Sequence, residues 1–223
     1  MTAGLWTHWV LPGIWITVQL TVYSAALAAV IAFALGIGRR SPRWPVRLLS
    51  AIYVEVFRGT SALVLMFWLF FVVPLAFRIQ LVPMWAAVLA LGLSYGAYGA
   101  EIVRGALRAV PEGQREAATA LSFSPWQQLW RVLLPQALPE MIPPFTNLLI
   151  ELLKGTALVS AVSVADISFA AQLSRLATGK SLQIYAIVLA IYFVLAFAIT
   201  RVMRIVERRA KASVGQLVTK EAR

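Results

Sequence analysis

Nine carboxylates, twenty lysines and arginines, one histidine and no cysteine are the groups with which this chain of 223 residues could do chemistry. A metal centre or a nucleophile–base pair needs several such groups to converge. The lone His8 stands beside Trp6 and Trp9 and has no partner for catalysis or metal binding, so it reads as an interfacial residue in an aromatic belt. Without cysteine there is neither a disulfide framework nor a thiolate site. Thr178-Gly179-Lys180-Ser181 ends like a phosphate-binding loop, yet the glycine required five places before Gly179 is Ser174. No catalytic residue, no metal ligand and no ATP site is therefore expected on this chain.

What remains is a set of oppositely charged pairs three residues apart: Glu55 with Arg58, Glu101 with Arg104, and Glu151 with Lys154. On a helix this spacing lets the two side chains meet. Glu151 and Lys154 stand in an otherwise apolar run, where a lone charge costs at least about 2.5 kcal/mol, so pairing there would lower the cost. The other reading is that Glu151 and Lys154 line a solute path together with Asn147 and Thr156. Glu55, Arg58 and Glu101 sit closer to the ends of apolar runs and read as gates or structural pairs.

The elements that hold these groups are legible from composition. The chain is 61% hydrophobic and 13% charged, which suits a bilayer rather than a water-facing shell. A bilayer core of about 30 Å takes roughly 20 apolar residues as a helix. Five such spans are expected, near 11–38, 58–77, 84–104, 142–165 and 181–203, giving an all-α polytopic membrane protein in one domain. Trp44 to Phe57 mixes Pro45, Arg47, Tyr53 and Glu55 with apolar residues and reads as an interfacial approach to the second span. Pro74 and Pro83 bracket a short turn after it, and the polar stretch Gln172 to Gln183 separates the last two spans. Gly92, Gly96, Gly99 and Gly105 mark the third span as a close-packing helix.

The net charge of +11 is not a nucleic-acid signature, because most Lys and Arg lie on one side of the spans. Arg39, Arg40, Arg43 and Arg47 follow the first span; Arg104, Arg108, Arg115 and Arg131 follow the third; the tail from Arg201 carries seven more. Only Arg78, Arg175 and Lys180 fall on the opposite side. The positive-inside tendency then places the amino end outside and the carboxyl end in the cytoplasm. No basic segment precedes the first apolar run, so a cleaved secretory signal is not expected.

The stretch 105–139 is too polar to cross a membrane and too patterned for a slack linker. Pro111-Glu112 opens a short helix with proline in its first turn and a carboxylate at the positive end of the dipole. Ser122-Phe123-Ser124 breaks it, and Ser124-Pro125-Trp126-Gln127 reads as a second start, with Ser124 as N-cap and Gln127 returning a hydrogen bond to it. Pro135, Pro139, Pro143 and Pro144 predict a kinked ascent into the fourth span.

Glu116-Ala117-Ala118-Thr119-Ala120-Leu121-Ser122, followed by Arg131-Val132-Leu133-Leu134-Pro135-Gln136-Ala137, resembles the EAA loop of binding-protein-dependent ABC importer permeases. Tyr53-Val54-Glu55-Val56-Phe57-Arg58-Gly59-Thr60, Ala97 to Gly105 and Leu152 to Ser160 resemble the polar-amino-acid subfamily, so the similarity runs from about Gln19 to the fifth span. The resemblance implies the MetI-like permease fold and a mechanism. The EAA loop forms a coupling helix seated in an ATPase subunit, and ATP-driven closure of two such subunits turns the membrane subunits from inward- to outward-facing. Glu116, Ala117 and Ala118 carry over to that role, flanked by Glu112, Gly113, Arg115, Leu121 and Ser122. Three positions depart from the family pattern: Ser122 replaces glycine, Ser61 replaces proline, and Gly155 replaces an acid.

The partners implied are ABC ATPase subunits, a second permease subunit, an extracytoplasmic solute-binding protein and membrane lipid, with no nucleic acid. ATP and magnesium would be held by the ATPase, and this chain would bind no cofactor. The location implied is the bacterial cytoplasmic membrane, and the solute a polar amino acid, with ectoine or hydroxyectoine as the alternative. Outside that class stands a passive channel, which would have no use for a coupling helix. A membrane enzyme is disfavoured by the lack of any catalytic cluster.

Overall fold

The computed structural model describes residues 10–213. His8, Trp6 and Trp9, along with Lys220 and Arg223 of the tail, lie outside the described residues. Helix α1 is Leu11–Gly38. It is followed by α2, Trp44–Gly59, and α3, Ala62–Phe77, which meet at a bend of 100°. Then come α4, Pro83–Ala109, α5, Glu112–Ala120, and α6, Pro125–Val162. The described residues close with α7, Ile167–Thr178, and α8, Ser181–Ser213. Four helices, α1, α4, α6 and α8, are each long and apolar enough to cross a membrane, and the bent pair α2–α3 would make five.

The most extensive helix contact is between α1 and α4. Small residues at three- and four-residue steps, among them Thr17, Ser24, Ala28, Ala32 and Gly36, form the buried stripe of α1. Glycines of α4 answer it. A Cβ at Gly92 would lie 2.5 Å from Leu27, and one at Gly96 would lie 2.7 Å from Ile31. Close packing of this kind holds helices together where lipid tails compete equally for apolar surface. Gly105 does not take part, because a Cβ there meets nothing within 4 Å. It lies on the exposed face of α4, between Val103 and Leu107, which are buried on the opposite face.

Two apolar clusters fill the interior. Leu20, Met66, Leu91, Val159 and Val162 meet at the end where α1 begins. Val103, Leu107, Leu133, Ala137 and Met141 meet at the arginine-rich end.

Several boundaries differ from the spacing argument, each for a local reason. Pro74 does not open a turn: α3 runs through it to Phe77, with a π-helical turn at Trp68–Val72 just before the missing N–H, and stops at Arg78 in left-handed conformation. Helix α4 continues past Arg104 to Ala109. The second loop helix and the fourth span are one element, α6. A π-helical turn at Gln128–Leu133 precedes Pro135, and Pro139, Pro143 and Pro144 are carried inside the helix. Helix α6 tightens to a 3-10 turn at Thr156–Val162 and stops at Ser163, also left-handed. The stretch after it is not a plain polar connector. Asp166 caps α7 by accepting from the Phe169 N–H, and Gly179 ends it at φ +69°. Gly179 therefore serves as a helix stop in the Thr-Gly-Lys-Ser stretch.

Candidate functional site

Helix α5 stands out from the bundle at the arginine-rich end. Glu112, Gly113, Arg115, Glu116 and Ala117 are all exposed, as are Leu121 and Ser122. Ala118 is the exception, at 3% exposure, and is the small residue through which α5 rests on the rest of the chain. Its side chain is thus engaged within this chain, whereas its neighbours face outward.

The turn after α5 is built to a defined geometry. The Phe123 N–H donates to the Ala118 carbonyl at 3.0 Å and the Ser122 N–H to the Thr119 carbonyl at 2.9 Å, while Ser122 is left-handed at φ +58°. This is the paired 6→1 and 5→2 pattern that closes a helix around a left-handed residue, normally glycine. The position where this chain departs from the EAA pattern is thus the one where a side chain is costly. Ser122→Gly is expected to stabilise the protein by about 1 kcal/mol. Thermal unfolding of the two proteins in the same detergent checks this; an unchanged or lower midpoint contradicts it.

The restart is the expected capping box: the Ser124 N–H donates to Gln127 Oε1 at 2.9 Å, and the Gln127 N–H donates to Ser124 Oγ at 3.4 Å. Three glutamines that the sequence reading passed over brace the loop. Gln128 Nε2 donates to the Phe123 carbonyl at 3.0 Å and to Thr119 Oγ1 at 3.2 Å. Gln136 Nε2 donates to Gln114 Oε1 at 3.2 Å, tying α6 to α5. Their sequence separations follow no helical rule, so no local signal could have found them. Exposed Leu121, Trp126 and Trp130 add an apolar rim, the two indoles 5.3 Å apart.

Behind the loop lies a charge cluster. Glu101 accepts from Arg104 Nε at 2.9 Å and Nη2 at 2.5 Å, and from Arg39 Nη1 at the end of α1. The expected Glu101–Arg104 pair is present, and Arg39 is the partner that spacing did not reveal. Arg40 Nη1 donates to the Leu107 carbonyl at 2.6 Å. Burial, and then the nearby Arg115 and Arg108 guanidiniums, pull Arg40 below the usual guanidinium range.

The other two pairs do not form. Among the described residues Glu55 makes no ion pair with Arg58. The Arg58 guanidinium lies over the Tyr98 ring, 5.5 Å from its centre, and the Tyr98 hydroxyl donates to the Arg58 carbonyl at 3.1 Å. Cation–π attraction to a ring from α4 replaces the local carboxylate. Glu151 and Lys154 are both exposed and unpaired with each other. The Tyr95 hydroxyl instead donates to the Glu151 backbone carbonyl at 3.0 Å, and a Cβ at Gly155 would lie 2.7 Å from that hydroxyl.

Asn147, Glu151 and Lys154 follow one another at helical steps on an exposed face of α6. Thr156 does not join them: it is fully buried and its hydroxyl donates to the Leu153 carbonyl at 2.7 Å. Two residues past Lys154 is about 200° around a helix, so Thr156 falls on the opposite face, beside buried Leu152 and Leu153. A face carrying an amide, a carboxylate and an ammonium within a membrane-length helix is unsuited to lipid and belongs against water or another protein surface.

Residues 25–212 match the family described as the binding-protein-dependent transport system inner membrane component. A probable amino-acid ABC transporter permease of Sinorhizobium fredii is 50% identical over 200 residues, covering 87% of this chain and 84% of its own length. The L-cystine transport system permease of Bacillus subtilis is 36% identical, covering 88% and 84%. The glutamine transport system permease of Escherichia coli is 33% identical, covering 87% and 90%. Among solved structures, an amino acid ABC transporter superposes with a TM-score of 0.84 at 29% identity, covering 93% of this chain and 97% of that one. The inward-facing MetNI methionine ABC transporter shares the fold, with a TM-score of 0.78 at 23% identity.

Proposed function

Since this chain belongs to the binding-protein-dependent transport system inner membrane component family, and so is a membrane-spanning permease component, we propose that it carries a polar amino acid inward, driven by ATP hydrolysed on a partner subunit. The observation that carries the coupling half of this reading is α5: a short, exposed, charged helix held rigidly off the bundle by a closed turn, a capping box and three glutamines. Glu112, Gly113, Arg115, Glu116, Ala117, Leu121 and Ser122 offer the docking surface to the ATPase, and Ala118 sets its seating. A passive channel would need no such element.

In this reading the whole chain is one permease domain with its coupling loop at 105–139, the amino end outside and the carboxyl end in the cytoplasm of a bacterial cell. The partner ATPase subunits hold ATP and magnesium, and this chain binds no cofactor of its own. A second permease subunit covers the exposed polar face of α6, so that Asn147, Glu151 and Lys154 line the route between the two, with Arg58 nearer the α2–α3 bend. An extracytoplasmic binding protein delivers the solute at the opposite end from α5.

A carboxylate and an ammonium about one turn apart complement the two charges of a zwitterion. That chemistry suits ectoine too, but the relatives reported above are named for amino acids, which favours an amino acid. The test is competition for uptake by the reconstituted complex, with a panel of amino acids and ectoines. Inhibition by one or a few polar amino acids supports the reading, and inhibition by ectoine alone overturns the substrate assignment. Lys154→Gln is expected to raise the KM for that solute about tenfold, the loss of one charge-assisted contact. An unchanged KM removes Lys154 from the route.

A further inference from the structure

Asp166 lies in the turn between α6 and α7, at the end of the molecule away from α5, and none of its surface is exposed. Four elements meet on it. Its backbone carbonyl faces Gly13 of α1, where a Cβ would lie 3.0 Å from it. The next N–H, of Ile167, donates to Thr17 Oγ1 of α1 at 3.3 Å. Its Oδ1 accepts from the Phe169 N–H of α7 at 2.9 Å, and its own N–H donates to the Val164 carbonyl at 2.8 Å. Ser168 Oγ stands 3.3 Å from the Tyr192 hydroxyl of α8, which also neighbours Thr156 of α6 and Asp166 itself.

The second carboxyl oxygen, Oδ2, is buried with no hydrogen-bond partner among the described residues. A carboxylate spreads its charge over both oxygens, so an ionised Asp166 would leave the charge on Oδ2 buried without a donor. The groups that face it are Thr17 and Gly13 from α1, Thr156 from α6, Val164 from the turn, Ser168 and Phe169 from α7, and Tyr192 from α8. Only Tyr192 among them is titratable, and it carries no positive charge. Among the described residues no cationic side chain faces it, and the N-terminal end of α7 is the one group that offsets its charge.

We propose that Asp166 is a buried proton-binding site: Oδ2 carries the proton, Oδ1 caps α7, and the neutral acid pins the α6–α7 turn to α1 and α8. Losing the proton puts a charge with no cationic partner into the corner and releases α7 from the bundle, so this end of the permease is gated by pH. Burial pushes the carboxyl above its ordinary 3.8, against the lowering effect of the Phe169 and Ser168 hydrogen bonds. The sign follows. The proton is retained by the folded chain over a range in which the unfolded chain has lost it, so this contribution is complete below 3.8 and disappears as pH rises through the raised value.

The test compares the full-length permease with Asp166→Asn, which keeps the cap and the shape but has no proton to lose. Thermal midpoints are measured in the same detergent from about pH 4, near the ordinary carboxyl value, up to about pH 9. The wild-type midpoint is expected to fall with rising pH relative to that of the variant, opening a gap of about 4 °C. Asp166→Ala, which loses the cap, should be destabilised at every pH. Infrared difference spectra of wild type against the Asn variant should carry the carbonyl stretch of a protonated acid at the acid end of the series and lose it as pH rises, a readout independent of the variant's stability. Parallel pH profiles, or a carboxylate band in place of that stretch at the acid end, overturn the proposal.

Discussion

Reversing the charge at Glu116 is expected to reduce ATP-driven uptake by at least about tenfold while leaving the complex assembled in the membrane. Glu116 is exposed on α5 and makes no ion pair within the described residues. Its replacement by lysine should therefore change the chain's own stability by no more than about 0.5 kcal/mol. What it does change is the charge on the exposed face of α5, the surface proposed to meet the ATPase, which also carries Arg115. A single sign change at a docking surface discourages the partner through like-charge contact and through a lost attraction. Uptake and co-purified ATPase are measured together. Loss of uptake with a normal unfolding midpoint places the defect at the junction between subunits; full uptake would remove Glu116 from the coupling surface.

The largest effect on stability is expected from Glu101→Leu. Glu101 is 20% exposed and receives both Arg39 and Arg104, with Arg40 held nearby. Removing the carboxylate leaves two guanidiniums facing each other with no anion in a partly buried corner, a loss of about 2 kcal/mol after allowance for its residual contact with water. For a chain of this size that lowers the unfolding midpoint by about 6 °C. The double variant Arg39→Leu with Glu101→Leu should recover part of the loss, because one uncompensated charge goes with its partner. An unchanged midpoint for Glu101→Leu would mean that the cluster is solvated and contributes nothing.

The elements that hold the site were largely legible from composition. Long uncharged runs gave α1, α4 and α8, since a helix that must satisfy its own backbone in lipid leaves few alternatives. The capping box at Ser124 was readable because all of its chemistry lies within four residues. The departure at Ser122 pointed to the left-handed turn where glycine is normally placed, although only the backbone shows why. Partners distant in sequence were hidden. Arg39 reaches Glu101 across sixty-two positions, and Gln136 reaches Gln114 across twenty-two. Spacing alone suggested Glu55 with Arg58 and Glu151 with Lys154, but a helix only makes such contacts available, and Tyr98 offered Arg58 a better one.

Two misreadings came from following polarity rather than helical phase. Thr156 was grouped with Asn147, Glu151 and Lys154 for its polarity, yet it stands about 200° around the helix from Lys154, on the buried face with Leu152 and Leu153. Gln172 to Gln183 was read as a polar connector, yet its first part belongs to α7, in which Ile167, Ala170, Ala171 and Ser174 make a buried stripe between a capping Asp166 and a closing Gly179. The periodicity was present in the sequence. It was short, and it was masked by the polar residues of the opposite face.

The central claim is that this chain turns ATP hydrolysis by a partner into solute movement, and the direct measurement is accumulation of a radiolabelled amino acid by vesicles holding the complete complex, with and without ATP. The account predicts accumulation above the external concentration only when ATP and the binding protein are both supplied. Equilibration of the solute without ATP, at the same rate as with it, would contradict the account and leave a passive channel in its place.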